Sequence, residues 1–208
     1  MKYLYIDTSS KFLYTGIVEN NKCLAEIKEE YGQNMSKISL PKIATIFEKV
    51  DFKPKNIDKI IAVNGPGSFT GIRIGVTIAK VYAWALNIPI TTISSLEAMA
   101  ISSTNHSVHV PIIDARRGYV YGAIYDENYK TILKPQHIKL TELNEILSKI
   151  NNYEIISNDN FLDKFSTNKY VPNIEKIVNF FKNKENLNPH AVNPNYLKLT
   201  EAEEKHGC

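Results

Sequence analysis

AVNGPGSFTGIRIG, residues 62–75, runs from an apolar strand through Gly65, Pro66 and Gly67 into the start of a helix. Small residues at such a junction let backbone N–H groups converge on an anion at a helix N-terminus. Neither of the two common phosphate motifs is present. A P-loop needs Lys followed by Ser or Thr at the helix start, and a dinucleotide fingerprint needs a glycine where this chain has Thr70. The spacing further along suggests packing. Gly71, Gly75, Ala79 and Ala83 repeat every four residues, so they form one ridge of the helix, with Ile72 and Val76 beside it. Each glycine inside a helix costs about 0.5–1 kcal/mol relative to Ala, and a close approach of another backbone would offset that. The ridge fits either internal packing against the chain's own sheet or a contact between chains.

Upstream, KYLYID, FLYTGIVE and CLAEIKEEY are β-rich runs separated by TSSK and NNK, which predicts a three-stranded meander whose first strand ends at Asp7. Met35, Ile38, Ile43, Ile46, Phe47 and Val50 then recur at helical spacing, with Pro41 expected to bend or break the helix. KIIAV reads as a buried strand, the segment from Thr70 as a helix ended by Asn87 and Pro89, and IPITTI as a short strand. Ser94 and Glu97 have the spacing of a capping box. The second half opens with another strand, turn and strand, VHVPIIDARRGYVYGAIY. Overlaying Asp114 on Asp7, a shift of 114 − 7 = 107, also puts Ile113 on Ile6, Tyr121 on Tyr14 and Ile124 on Ile17. This predicts a duplicated chain with lobes at 1–105 and 106–208. TELNEILSKI follows as a helix with Thr141 as N-cap, then the strand YEIIS, the helix IEKIVNFFKN and a tail extended around its prolines.

A chain of 208 residues with a formal charge of +3 is too weakly basic to be a strong nucleic-acid binder in its own right. Cys23 and Cys208 form no CxxC, which fits a reducing compartment. No run approaches the ~20 apolar residues of a membrane span, so the expected location is the cytoplasm.

Asp7 and Thr8, with Gly65 and Gly67, are the best polar candidates: a carboxylate and hydroxyls at a tight turn can hold a hydrated cation or a phosphate, or simply cap the turn. Arg116 and Arg117 lie beside Asp114, where they could recognise an anion or neutralise that carboxylate. The histidines at 106, 109, 137, 190 and 206 form no HxxxH or HExxH and read as surface or turn residues, so no metal is expected. Between Gly122 and Gly207 there is no glycine, which disfavours a second lobe that closes on a nucleotide.

GPGSFTGIRIG, preceded by YIDTSS and followed in order by SSLEAMA, IDARRGYVY and NPNYLK, resembles the TsaB/YeaZ family from about residue 3 to residue 198. The resemblance implies an α/β fold of duplicated actin-like, sugar-kinase and heat-shock-ATPase (RNase H-like) type, two lobes with mixed sheets flanked by helices. It also implies a non-catalytic subunit that supports a TsaD-like catalytic paralogue, with a TsaE-like ATPase, in threonylcarbamoylation of the adenosine next to the anticodon of ANN-decoding tRNAs. Nucleotide and metal are then expected on the partner subunits, and tRNA is met indirectly. In that family two first-lobe helices contact TsaD, or pair in a homodimer. Carried onto this sequence they span about Met35–Val50 and Gly71–Asn87, placing Met35, Ile38, Gly71, Ile72, Gly75, Val76, Ala79 and Ala83 at the contact. Two departures stand out: Met35–Ser36 replaces a frequent His-Ser or His-Thr pair, and residues 156–160 lack the family's glycines. An ATP-dependent kinase or a glycoprotease-like enzyme of the same superfold is the alternative.

Overall fold

The computed structural model describes residues 1–105, 107–159 and 167–198; His106, His206, Cys208 and the end of the tail lie outside them. The chain divides into two compact units. The first takes residues 1–103 together with 171–194, and the second is built between residues 104 and 170.

Unit one holds a five-stranded sheet. Strands β1 (Lys2–Asp7), β2 (Phe12–Glu19) and β3 (Lys22–Glu30) form the expected antiparallel meander. Strand β4 (Lys59–Val63) pairs parallel to β1, and β5 (Ile90–Ile93) parallel to β4, giving the order β3-β2-β1-β4-β5. Helices α1 (Met35–Lys49) and α2 (Phe69–Leu86) cover one face, where Leu4, Ile6, Leu13, Ile17 and Ile60 pack against Ile43, Phe47, Ile72 and Val76. Pro41 does not break α1, which runs unbroken through it. Proline and Lys37, the residue whose carbonyl loses its partner, both lie exposed, so water can serve that carbonyl. Helix α3 (Ser95–Ser102) begins at the predicted capping box, with Glu97 Oε2 accepting the Ser94 N–H at 2.8 Å.

Unit two repeats the plan. Strands β6 (Val108–Asp114), β7 (Tyr119–Tyr125), β8 (Thr131–Lys139), β9 (Tyr153–Ile156) and β10 (Thr167–Asn168) give the order β10-β9-β6-β7-β8, the same arrangement read from the other edge. Helix α4 (Leu140–Leu147) covers Val110, Ile112, Val120 and Ile124. These two matched mixed sheets flanked by helices are the duplicated fold that the resemblance implies. Matching the helix-covered faces corrects the overlay. Leu4 and Ile6 correspond to Val110 and Ile112, an offset of 110 − 4 = 106, while Leu13 and Ile17 correspond to Val120 and Ile124, an offset of 124 − 17 = 107. Asp7 therefore corresponds to Ile113, and Asp114 stands one place further into the turn. Thr141 also lies inside α4, whose N-cap is Lys139.

The expected boundary at 106–208 needs a larger correction, because helix α5 (Ile174–Phe181) belongs to unit one. Its apolar face, Ile174, Ile177, Val178 and Phe181, is buried there, and it lies against β1, β2, β3 and α3. The segment after it is held through its backbone. Lys59 Nζ donates to the carbonyls of Lys182 (3.1 Å) and Lys184 (2.8 Å), Thr91 Oγ1 to Glu185 (2.8 Å), and Lys80 Nζ to Val192 (2.7 Å). Leu187 N–H also donates to Ile90 O at 2.8 Å, so this segment lies along the β5 edge of the sheet.

Candidate functional site

The turn after β1 and the N-terminus of α2 are built into each other. Asp7 Oδ1 accepts the Ser9 N–H at 2.8 Å, and the Tyr5 hydroxyl donates to Oδ2 at 3.4 Å. The carboxyl is 2% exposed, and burial pushes its pKa above the ordinary value, against the hydrogen bonds from Ser9 and Tyr5, which lower it. Across the turn, Ser68 N–H donates to Ser9 O at 2.7 Å, and Thr8 Oγ1 donates to Gly71 O at 2.7 Å. Ser68 caps α2 by accepting from Gly71 N–H at 3.2 Å.

The glycines make this contact possible. A Cβ on Gly67 would lie 2.1 Å from Ser9 O, one on Gly71 2.1 Å from Thr8 O, and one on Gly75 2.3 Å from Thr8 Oγ1. Gly65, with φ +118°, precedes a cis bond to Pro66. The backbone of the chain's own turn thus packs directly on the glycine side of this junction. The turn that carries Asp7 and Thr8 meets Gly67, as expected, and also Gly71, which was expected at a contact between chains; the two elements form a packing joint. Among the described residues, no three His, Cys, Asp or Glu side chains are grouped as a metal site would require.

The ridge on α2 is consequently internal. Gly71, Ile72, Gly75, Val76, Ala79 and Ala83 are buried in unit one, as is Met35 of α1; only Ile38 of the expected contact residues is partly open. The opposite face of α2 carries the apolar surface instead. Phe69 is 44% exposed, Val81 54% and Trp84 65%, while Ile74 and Ile78, half-buried, border the core. Arg73 lies over the Phe69 ring at 3.8 Å. The signal was present in the sequence, since Phe69, Arg73, Thr77, Val81 and Trp84 recur at helical spacing on the side away from the glycines. At the top of this face a groove of about 500 Å³ is lined by Ser10, Lys11, Met35, Ser36, Thr70 and Ile74. Leu40 of α1 is also exposed.

In unit two, Asp114 Oδ1 accepts the N–H of Arg116 at 2.7 Å. Arg116, Arg117 and Gly118 all have positive φ (+65°, +54° and +79°), and both arginines are exposed. His109, expected at the surface, is fully buried in β6. Its Nδ1 lies 2.7 Å from Glu154 Oε1, and its ring stacks on Tyr129 with centroids 5.0 Å apart. A carboxylate on the neighbouring strand makes an inward histidine tolerable there. Cys23 is half-buried, and burial and the Glu26 carboxylate push its thiol up to about 11, which leaves it a poor nucleophile.

Residues 22–202 match the family model described as TsaD: tRNA N6-adenosine threonylcarbamoyltransferase. The tRNA threonylcarbamoyladenosine biosynthesis protein TsaB of Bacillus subtilis is 32% identical, over 99% of this chain and 97% of its own length. The Escherichia coli protein of that name is 31% identical over 69% of this chain and 68% of its own. Among solved structures, YeaZ from Pseudomonas aeruginosa superposes with a TM-score of 0.76 at 18% identity, covering 94% of this chain and 99% of that one. A second structure, described as similar to peptidase YEAZ from Pseudomonas aeruginosa, gives a TM-score of 0.79 at 17% identity, covering 95% of this chain and 99% of that one. The near-complete match to TsaB in both lengths, with the same fold in YeaZ, shows that the chain belongs to the TsaB/YeaZ family.

Proposed function

We propose that this chain acts in forming threonylcarbamoyladenosine in tRNA as a non-catalytic docking subunit, which binds a TsaD-like catalytic partner through the outward faces of α1 and α2. The observation that carries this reading is the division of α2 into two apolar sides. One side is closed onto Thr8 and the sheet; the other leaves Phe69, Val81 and Trp84 exposed. Burying a large aromatic such as Trp84 is a strong source of binding energy, and tryptophan is enriched at the energetic centres of interfaces. The names of the relatives and the family model support the pathway. ATP or ADP, and the metal, are assigned to the partner subunits, since the stretch after β4 has neither the Lys of a P-loop nor the third glycine of a dinucleotide fingerprint. In the partner's absence the same face pairs two copies. A TsaE-like ATPase joins through the complex in the cytoplasm, and tRNA is met within it.

The test is light scattering on a sizing column, with the chain alone and mixed with the TsaD-like protein of the same cell. A one-to-one complex formed at the expense of the homodimer is expected. The variant Val81→Ala/Trp84→Ala should remain folded and lose both associations. Normal association by that variant, or no complex with the wild-type chain, would overturn the proposal.

A further inference from the structure

We propose that the end of the unit-two sheet around Arg116, Arg117, Tyr119 and His137 is a contact surface for unstacked bases of an RNA loop. It rests on the tRNA-modification reading above and assigns this chain a direct share in holding the RNA. The strands β7 and β8 place the rings. Tyr121 pairs with His137 and Tyr119 with Lys139, so these four residues share the face of the sheet opposite α4, which takes Val120 and Ile138. The other end of this face is closed, with Ala123, Tyr125 and His109 buried. At the open end Tyr119 and His137 stack with centroids 4.6 Å apart and planes within 6°, and Tyr121 leans on His137 at 5.5 Å. All three rings are half-buried, and because Tyr119 and His137 cover each other's facing sides, a base would meet the outer side of the stack.

The turn beside the rings supplies charge at a fixed position. Tyr119 N–H donates to Arg116 O at 3.0 Å, Ala115 N–H to Tyr119 O at 3.0 Å, and Leu140 N–H to Gly118 O at 2.9 Å. The exposed Arg116 and Arg117 are thereby tied to the strand that carries Tyr119, with exposed Lys139 across from it. The neighbouring carboxylates, Asp114 and Asp159, accept the backbone N–H groups of Arg116 and Asp114 at 2.7 Å each. Cations flanking a small platform of rings suit phosphates and stacked bases. Bases within a duplex are hidden from such a platform, so a single-stranded loop fits it. The uncharged apolar surface assigned above to the protein partner, Phe69, Val81 and Trp84, lies elsewhere, on α2.

The experiment measures anisotropy of a labelled anticodon stem-loop with an unmodified adenosine, titrated with the chain alone and with its complex with the TsaD-like protein. Arg116→Gln/Arg117→Gln and Tyr119→Leu are compared with wild type, the latter keeping apolar bulk on the strand. Tyr119→Leu should weaken RNA binding about tenfold. Arg116→Gln/Arg117→Gln should weaken it and make the slope of log affinity against log salt shallower by about 1.4, from about 0.7 per phosphate contact. Complex formation by light scattering should stay unchanged. Unaltered RNA affinity and salt slope in both variants would overturn the proposal, as would loss of the protein partner with RNA binding intact. A wild-type chain that fails to bind the TsaD-like protein refutes the docking reading instead, and the surface is then judged on RNA binding by the chain alone.

Discussion

Adding a methyl group to Gly75 places a Cβ 2.3 Å from Thr8 Oγ1, where ordinary contact begins at 3.4 Å, so the hydroxyl must move by about 3.4 − 2.3 = 1.1 Å. The only soft response is rotation of the Thr8 side chain, which breaks its 2.7 Å bond to Gly71 O. Losing a buried hydrogen bond costs about 1–3 kcal/mol, and an off-rotamer side chain about 0.5–1.5 kcal/mol. Ala is favoured over Gly in a helix by about 1 kcal/mol, which leaves a net destabilisation of about 0.5–3.5 kcal/mol. In a Thr8→Ala background the obstructing atom is gone, and the next nearest atom, Thr8 Cβ, lies at an ordinary 3.5 Å. There the same substitution should stabilise the chain by up to about 1 kcal/mol. Urea unfolding of the four proteins of this cycle reads the sign change directly, with an expected coupling of about 1.5–4.5 kcal/mol. Equal effects of Gly75→Ala in the two backgrounds would refute the packing joint and return the ridge to the surface.

Three further outcomes are expected. Because burial raises the Asp7 pKa, its contribution to stability is fully present below the unfolded value near 4 and is lost as pH rises through the folded value. Asp7→Asn should therefore gain stability relative to wild type on going from pH 3 to pH 7, as followed by urea midpoints; a difference independent of pH would argue against the buried carboxyl. Lys59→Met removes the donor to the carbonyls of Lys182 and Lys184, and should cost about 1.5–3 kcal/mol and speed proteolysis between residues 182 and 193. Trp84 is the sole tryptophan and is 65% exposed, so its emission should shift to the blue when the TsaD-like protein binds, and an unchanged spectrum in a proven complex would move the contact off α2.

Local patterns made much of the fold legible: the meander, the capping box at Ser94 and Glu97, the left-handed Asn87 that ends α2, and the repeat itself. Strand β8 was not legible, because Pro135 stands in its middle. It is an edge strand, and a proline there need not remove a ladder bond. The glycine ridge was found, but its direction was not. Spacing identifies a helical face without naming the neighbour, and here the neighbour, Thr8, lies 63 residues away. The same reason hid the place of α5, whose amphipathic face is plain while its partner sheet lies at the start of the chain. His109 was misread because the carboxylate that accompanies it, Glu154, is 45 residues on.

The completion of unit one by residues 171–194 has a consequence for synthesis. As the chain leaves the ribosome, its first sheet emerges without the helix that will cover β2 and without the segment that lines the β5 edge. Both arrive only after the whole of unit two has been made. Until then an apolar sheet face and an open strand edge are presented to the cell, so the nascent chain has reason to engage a holdase. A fragment ending at residue 105 should be aggregation-prone for the same reason, whereas a circular permutant that places 171–194 ahead of Met1 would give unit one its missing helix before unit two is made.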